Sequence, residues 1–321
     1  MRFRLFSSAL MSFAALAVAG CGGSGVALQP QPPASGPSTF TLQAGTSSQQ
    51  EALQGLNFYP AALTVDVGDT VTWKFPAGEP HTVSIVPAGQ SIPPPNSPSA
   101  AAPAGGNTTD GSTYTSSGFV LLGGKYSLAF TKPGTYVYHC IIHPGMVGTI
   151  VVNPAGTRYP QTQQQYDALA ASGENTDLTN AAASIATFPY AAGASHVAVG
   201  ISPPVQNGRP SSSTVLRYLT GPSLASGTLT IAVGTTVTWT NLSNNEPHTV
   251  TLAPNGQAFP TIPPPGTPTN NTTFDGTTFS NSGDIFPGAS YSLTFTAAGT
   301  YVVHCVYHDE TENMIQTVIV Q

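Results

Sequence analysis

Three cysteines occur in 321 residues, and two of them share one setting. Residues 135–146 read TYVYHCIIHPGM and residues 300–314 read TYVVHCVYHDETENM. Each cysteine is followed three residues on by a histidine and then by a methionine, giving Cys140, His143 and Met146, and Cys305, His308 and Met314. A further histidine stands upstream in each case, His81 and His248, both within the pentapeptide EPHTV. A thiolate and two imidazoles make a strong three-coordinate set, to which a thioether adds a weak, soft fourth ligand. That combination suits copper cycling between its two oxidation states, in the trigonal His2Cys arrangement with a long axial Met. A Cys-x2-His pair alone is less specific, since half a zinc site or a buried thiol has the same spacing. The upstream histidine, the methionine and the duplication together point to one copper site in each copy.

These residues need elements to hold them, and the chain supplies the elements twice. LTVDVGDTVTW (63–73) matches LTIAVGTTVTW (229–239), DGSTYTSSG (110–118) echoes DGTTFSNSG (275–283), and YSLAFTKPGTYVYHC (126–140) matches YSLTFTAAGTYVVHC (291–305). The repeat of about 165 residues is a domain duplication, because solenoid repeats are shorter and more numerous. The repeated pieces alternate apolar and polar residues, as in Leu63, Val65 and Val67, and Gly-Asp or Pro-Gly turns separate them. Short strands at close intervals indicate an all-β sandwich or barrel. Tyr136, Tyr138 and Cys140 fall on one face of a strand, while Val137 and His139 fall on the other. Trp73 and Trp239 read as core residues, and His196 as a surface strand residue.

Both copies resemble cupredoxins, the family of plastocyanin, azurin and amicyanin, over residues ~38–153 and ~193–321 by their domain-sized lengths. The Cys-x2-His-x2-Met spacing of the first copy is similar to the short loop of amicyanin-like members. The resemblance implies two tandem cupredoxin-like Greek-key β-sandwiches joined by a short helical connector. It implies one type 1 copper per domain, two per chain. The ligands carried over are His81, Cys140, His143 and Met146, then His248, Cys305, His308 and Met314. Met314 departs from the pattern, since five residues separate it from His308. It stands three residues before Thr317 as Met146 stands three before Thr149, which makes it the expected axial ligand on a lengthened loop. The acids of that loop, Asp309, Glu310 and Glu312, predict a lower reduction potential for the second site.

His139 and His304 each precede a site cysteine. In the two-domain copper nitrite reductases and in multicopper oxidases, which this plan also resembles, the histidine at that place binds a second kind of copper. A copper reductase or oxidase with an extra centre between subunits is therefore the alternative reading, and a copper-handling protein a third. Seven histidines occur and the two sites use four, so only His139, His196 and His304 remain. No His-x-His pair occurs, which sets this chain apart from the oxidases.

The N-terminus, MRFRLFSSALMSFAALAVAGC, has two arginines, an apolar run too short to span a membrane comfortably, and a VAGC ending like a bacterial lipobox. The expectation is a signal peptide over 1–20 and a lipid on Cys21, followed by a flexible linker over 21–37 rich in Gly and Pro. Residues 38–153 form the first domain, 154–192 a connector and 193–321 the second domain. Within the connector, Thr162 and Gln165 have capping-box spacing and Gly173 can end a short helix. An exported, membrane-anchored protein of the cell envelope or periplasm follows. The net charge of −6, with charged residues only 7 % of the chain, excludes nucleic acid as a partner class and favours redox proteins, basic ones among them.

Overall fold

Alternating strands with one apolar face must bury that face against a second sheet, and each copy does so. A computed structural model describes residues 36–48, 52–95, 97–187, 195–205, 210–221, 223, 227–259, 267–309 and 312–321. The leader and Cys21 lie outside the described residues. The first copy contains β1 (Thr39–Ser48), β2 (Leu53–Tyr59), β3 (Ala62–Asp66), β4 (Thr70–Lys74), β5 (Ser84–Ile85), α1 (Pro98–Ala101), β6 (Thr108–Thr109), β7 (Thr115–Ser116), β8 (Lys125–Phe130), β9 (Gly134–His139) and β10 (Val147–Asn153). Helix α2 (Gln163–Thr187) follows. The second copy contains β11 (His196–Ile201), β12 (Ser213–Leu219), β13 (Leu229–Ile231), β14 (Thr236–Leu242), β15 (Thr251–Leu252), β16 (Thr273–Phe274), β17 (Ser280–Asn281), β18 (Ser290–Phe295), β19 (Gly299–His304) and β20 (Ile315–Val320).

Each copy packs a five-stranded sheet, β3-β10-β9-β5-β7 or β13-β20-β19-β15-β17, on one half of a shared ten-stranded sheet. The shared sheet runs β16-β18-β14-β11-β12-β2-β1-β4-β8-β6, so the domains join edge to edge through β2 and β12. That junction is antiparallel, with Gln54 opposite Thr214 and the pairs Gly55/Ser213 and Leu53/Val215 on either side. A pseudo-two-fold axis therefore passes between Gln54 and Thr214. The edge strand that each copy would otherwise leave unpaired is thereby closed.

The core of each sandwich follows the alternation read from the sequence. Val71, Trp73, Leu128, Phe130 and Tyr138 are fully buried in the first, and Val237, Trp239, Leu293, Phe295 and Val303 in the second. Tyr138 meets Trp73 edge-on at 5.3 Å and Phe58 at a tilt at 4.5 Å between ring centres. Burying each such side chain contributes about 1.5–3 kcal/mol. In β9, Tyr136 and Tyr138 point inward and Val137 outward.

Helix α2 starts as expected and ends later than expected. Thr162 Oγ1 accepts from the Gln165 amide at 3.2 Å, and Gln165 Oε1 accepts from the Thr162 amide at 2.8 Å, a reciprocal capping box. Gly173 does not stop the helix, which continues to Thr187. A β-carbon on Gly173 would stand 3.1 Å from the Tyr59 ring, so its place is a close approach of helix to strand. Asp177 then clamps both domains: Tyr59 donates to its Oδ2 at 2.5 Å and Ser212 to its Oδ1 at 2.7 Å. At the other end, Gln163 exchanges hydrogen bonds of 2.8 and 2.9 Å with the backbone of Thr41 in β1.

Candidate metal centres

Strand β9 ends at His139, which delivers Cys140 to the rim of the sandwich, and the loop to β10 closes tightly. The Cys140 amide donates to the Met146 carbonyl at 3.0 Å and the Met146 amide to the His143 carbonyl at 3.0 Å. His81 comes from the opposite side of the rim, pinned to Val120 by amide–carbonyl bonds of 3.1 and 2.9 Å. These elements bring Cys140 Sγ to 3.8 Å from His81 Nδ1 and 3.4 Å from His143 Nδ1, with the two nitrogens 2.9 Å apart. Met146 is buried in the same core cluster as Cys140.

The second copy repeats the plan despite its longer loop. The Cys305 amide donates to Met314 at 3.2 Å and the Met314 amide to His308 at 2.9 Å. The same two hydrogen bonds therefore flank the longer loop. Cys305 Sγ lies 3.7 Å from His248 Nδ1 and 3.3 Å from His308 Nδ1, and these nitrogens are 3.1 Å apart.

A trigonal ion with bonds of about 2 Å to nitrogen and about 2.3 Å to sulfur holds its donor atoms roughly 3.5–3.7 Å apart. The observed sulfur–nitrogen separations, 3.3 to 3.8 Å, are close to that, and the paired nitrogens stand nearer to each other, at 2.9 and 3.1 Å. In each copy three buried donor atoms cluster within 4.8 Å of one another, an arrangement that fits a soft metal ion. Burial works against ionising the Cys140 thiol, but the His143 imidazole outweighs it and holds the thiol well below its ordinary range. A thiol so held is ready to bind as thiolate. Despite burial, His143 and His308 are held well above the ordinary imidazole range by the adjacent cysteine and then by Glu79. His248 is pushed well below it, by burial and then by the charge on His308.

Three further pairs of residues shape the sites and were not singled out from the sequence. Thr82 and Thr249 each point an amide at the cysteine sulfur at 3.4 Å. Their hydroxyls accept from the amides of Ile141 and Val306 at 2.7 and 3.0 Å, which holds the loop after each cysteine. Gly45 and Gly200, at φ +73° and +62°, lie against the back of His81 and His248, where a β-carbon would stand 2.2 and 2.5 Å from Nε2. The third pair is Glu79 and Glu246, both buried. Glu79 Oε2 lies 3.1 Å from His143 Nε2, and its Oε1 lies 3.1 Å from His308 Nε2 in the other domain. Glu246 Oε2 lies 3.8 Å from His308 Nε2. Burial is offset by the two imidazoles for Glu79, which stays well below the ordinary carboxylate range, whereas burial and then the charge of Glu79 push Glu246 well above it. The repeated EPHTV was the available signal for four of these six residues.

The residues outside the two sets also have places. His304 Nδ1 pairs with Asp309 Oδ2 at 3.1 Å and its ring stacks on Phe259 at 3.9 Å. His139 is half-buried and its burial lowers its basicity. His196 is exposed at the start of β11. Glu312 is buried, and Glu310 lies outside the described residues.

The family described as copper binding proteins, plastocyanin/azurin family, matches residues 45–153 and 224–321. The chain belongs to this family. It is a two-domain cupredoxin. Chloroplastic plastocyanin of Oryza sativa subsp. indica is 32 % identical over 124 residues, 35 % of this chain and 68 % of that protein. Amicyanin of Paracoccus denitrificans is 37 % identical over 90 residues, 28 % of this chain and 53 % of that protein. A solved structure of a mutant amicyanin in the Cu(I) state aligns with 36 % of this cupredoxin and 82 % of its own chain, at 26 % identity and a TM-score of 0.26. No helix among the described residues is long and apolar enough to cross a membrane.

Proposed function

We propose that this cupredoxin carries single electrons between redox partners of the bacterial cell envelope, with one type 1 copper in each domain. His81, Cys140, His143 and Met146 hold one ion; His248, Cys305, His308 and Met314 hold the other. Bound copper supplies a one-electron couple. The observation that carries the reading is the convergence of a buried thiol and two imidazole Nδ1 atoms at matching points of both copies. The chain's residues do the rest by staying still. The amide–carbonyl bonds around Met146 and Met314 and the threonine clamps fix the donors, so a change of ion charge requires little rearrangement. The amides of Thr82 and Thr249 stabilise negative charge on sulfur. The VAGC ending supports a lipid on Cys21 and anchoring to the membrane, and the acidic chain suits basic redox partners.

Copper stoichiometry with visible and paramagnetic-resonance spectra of the mature protein tests this reading. Two coppers per chain with intense thiolate-to-copper absorption are expected, and a Cys140→Ser/Cys305→Ser double variant should lose the colour. A double variant that stays blue refutes the assignment.

A further inference from the structure

The pseudo-two-fold axis that passes through the β2–β12 junction turns the rim of one sandwich toward that of the other. His143 and His308 therefore meet across the domain interface, both only 5 % exposed. Between them lies one carboxylate, Glu79, itself 2 % exposed. Its two oxygens divide the work: Oε2 is 3.1 Å from His143 Nε2 and Oε1 is 3.1 Å from His308 Nε2. The Glu246 carboxyl is a further hydrogen-bonding neighbour of Glu79. The symmetry-related Glu246 stands farther away, 3.8 Å from His308.

We propose that Glu79 makes the two metal centres one coupled unit, by accepting a hydrogen bond from the outer nitrogen of a ligand histidine in each domain. The inference rests on copper binding at both sites through Nδ1. An imidazole that binds metal through Nδ1 carries its proton on Nε2, so both rings present N–H groups to the one carboxylate. Such outer partners fix ring orientation and ligand basicity, and their loss typically weakens metal binding about 10- to 100-fold. Here one partner serves two metals. Glu79, a residue of the first domain, is thus a positioning residue for the second domain's site. The same contact is a path from one site to the other, imidazole to carboxylate to imidazole, with two gaps of 3.1 Å. An electron exchanged along it oxidises one centre and reduces the other, and moves no covalent bond or proton. Because the outer edges of both rings are sealed, an external partner cannot touch either site by that edge while the domains are docked.

The test uses the full mature chain loaded with cuprous ion, which is diamagnetic, and ¹⁵N-labelled histidine. Beside the signals of the fully buried His81 and His248, two further slowly exchanging imidazole N–H signals are expected, from His143 and His308. Glu79→Gln should shift both and speed their exchange, and should weaken cuprous-ion binding about tenfold or more at both sites in competition with a chromogenic chelator. Glu246→Gln should leave the His143 signal in place. As a variant that keeps Glu79, Cys140→Ser empties the first site and should move the His308 signal of the second. The proposal is overturned if Glu79→Gln alters the first site alone, or if the His308 signal ignores Cys140→Ser. A chain that binds no cuprous ion at either site would instead overturn the proposed function.

Discussion

Gly45→Ala should disable the first metal site while leaving the second intact. Gly45 has φ +73°, and an added β-carbon would stand 2.2 Å from His81 Nε2, 2.9 Å from His81 Cδ2 and 3.0 Å from Ala77 Cβ. The left-handed backbone alone costs alanine about 1–2 kcal/mol. Ordinary van der Waals contact begins near 3.4 Å, so the ring must also retreat by about 1.2 Å. It can retreat only toward the site, where His143 Nδ1 is already 2.9 Å from His81 Nδ1. Overpacking of this kind costs about 1–3 kcal/mol, for a total of roughly 2–5 kcal/mol. Gly123→Ala is the control, since φ is +78° there and nothing lies within 4 Å of the added atom. It should show the backbone part alone. Thermal unfolding of the metal-free protein and copper per chain are the readouts. Gly45→Ala should unfold below Gly123→Ala and bind one copper, and Gly200→Ala should do the reverse, losing the site of Cys305. If Gly45→Ala binds two coppers with an unaltered spectrum, His81 is not held against Gly45 as a ligand and the reasoning fails.

Further expectations concern the other residues of the two sites. Thr82→Val removes the hydroxyl that accepts from the Ile141 amide at 2.7 Å, and should lower stability by about 1–3 kcal/mol in denaturant unfolding; an unchanged midpoint would show that the clamp is idle. The site holding Cys305 should titrate at the lower potential, because Asp309 and Glu312 lie in its loop whereas Ile141, Ile142 and Pro144 fill the other. Redox titration of Cys140→Ser and Cys305→Ser variants gives the order, and equal or reversed potentials refute it. Mass spectrometry of the mature chain should find its first residue to be an acylated Cys21; an unmodified Cys21 removes the anchor.

The two His-Cys-His clusters were legible because most of their spacing is local. Cys140, His143 and Met146 sit on one turn, and the longer loop to Met314 could be aligned through Thr317. The strands were legible for the same reason, since alternation along β3, β4, β8 and β9 is written within a few residues. Gly173 misled because glycine has two meanings. Near a helix end it favours a left-handed cap, but here it lets α2 approach Tyr59, and only the docked strand distinguishes the two.

Glu79 was illegible for a deeper reason. EPHTV occurs in both copies, so the sequence offers two equivalent glutamates and no ground for choosing between them. The choice is made by docking. A two-fold arrangement brings both carboxylates to one small, dry region, where two buried charges repel strongly and one proton between them relieves the repulsion. One carboxylate can then remain ionised and lie between the imidazoles, and the other must stand back neutral. That is the pattern of Glu79 and Glu246, held respectively well below and well above the ordinary carboxylate range. Duplication gave the two domains nearly the same site, and the junction through β2 and β12 breaks their equivalence. The asymmetry belongs to the interface, so a search for it within either domain alone finds nothing.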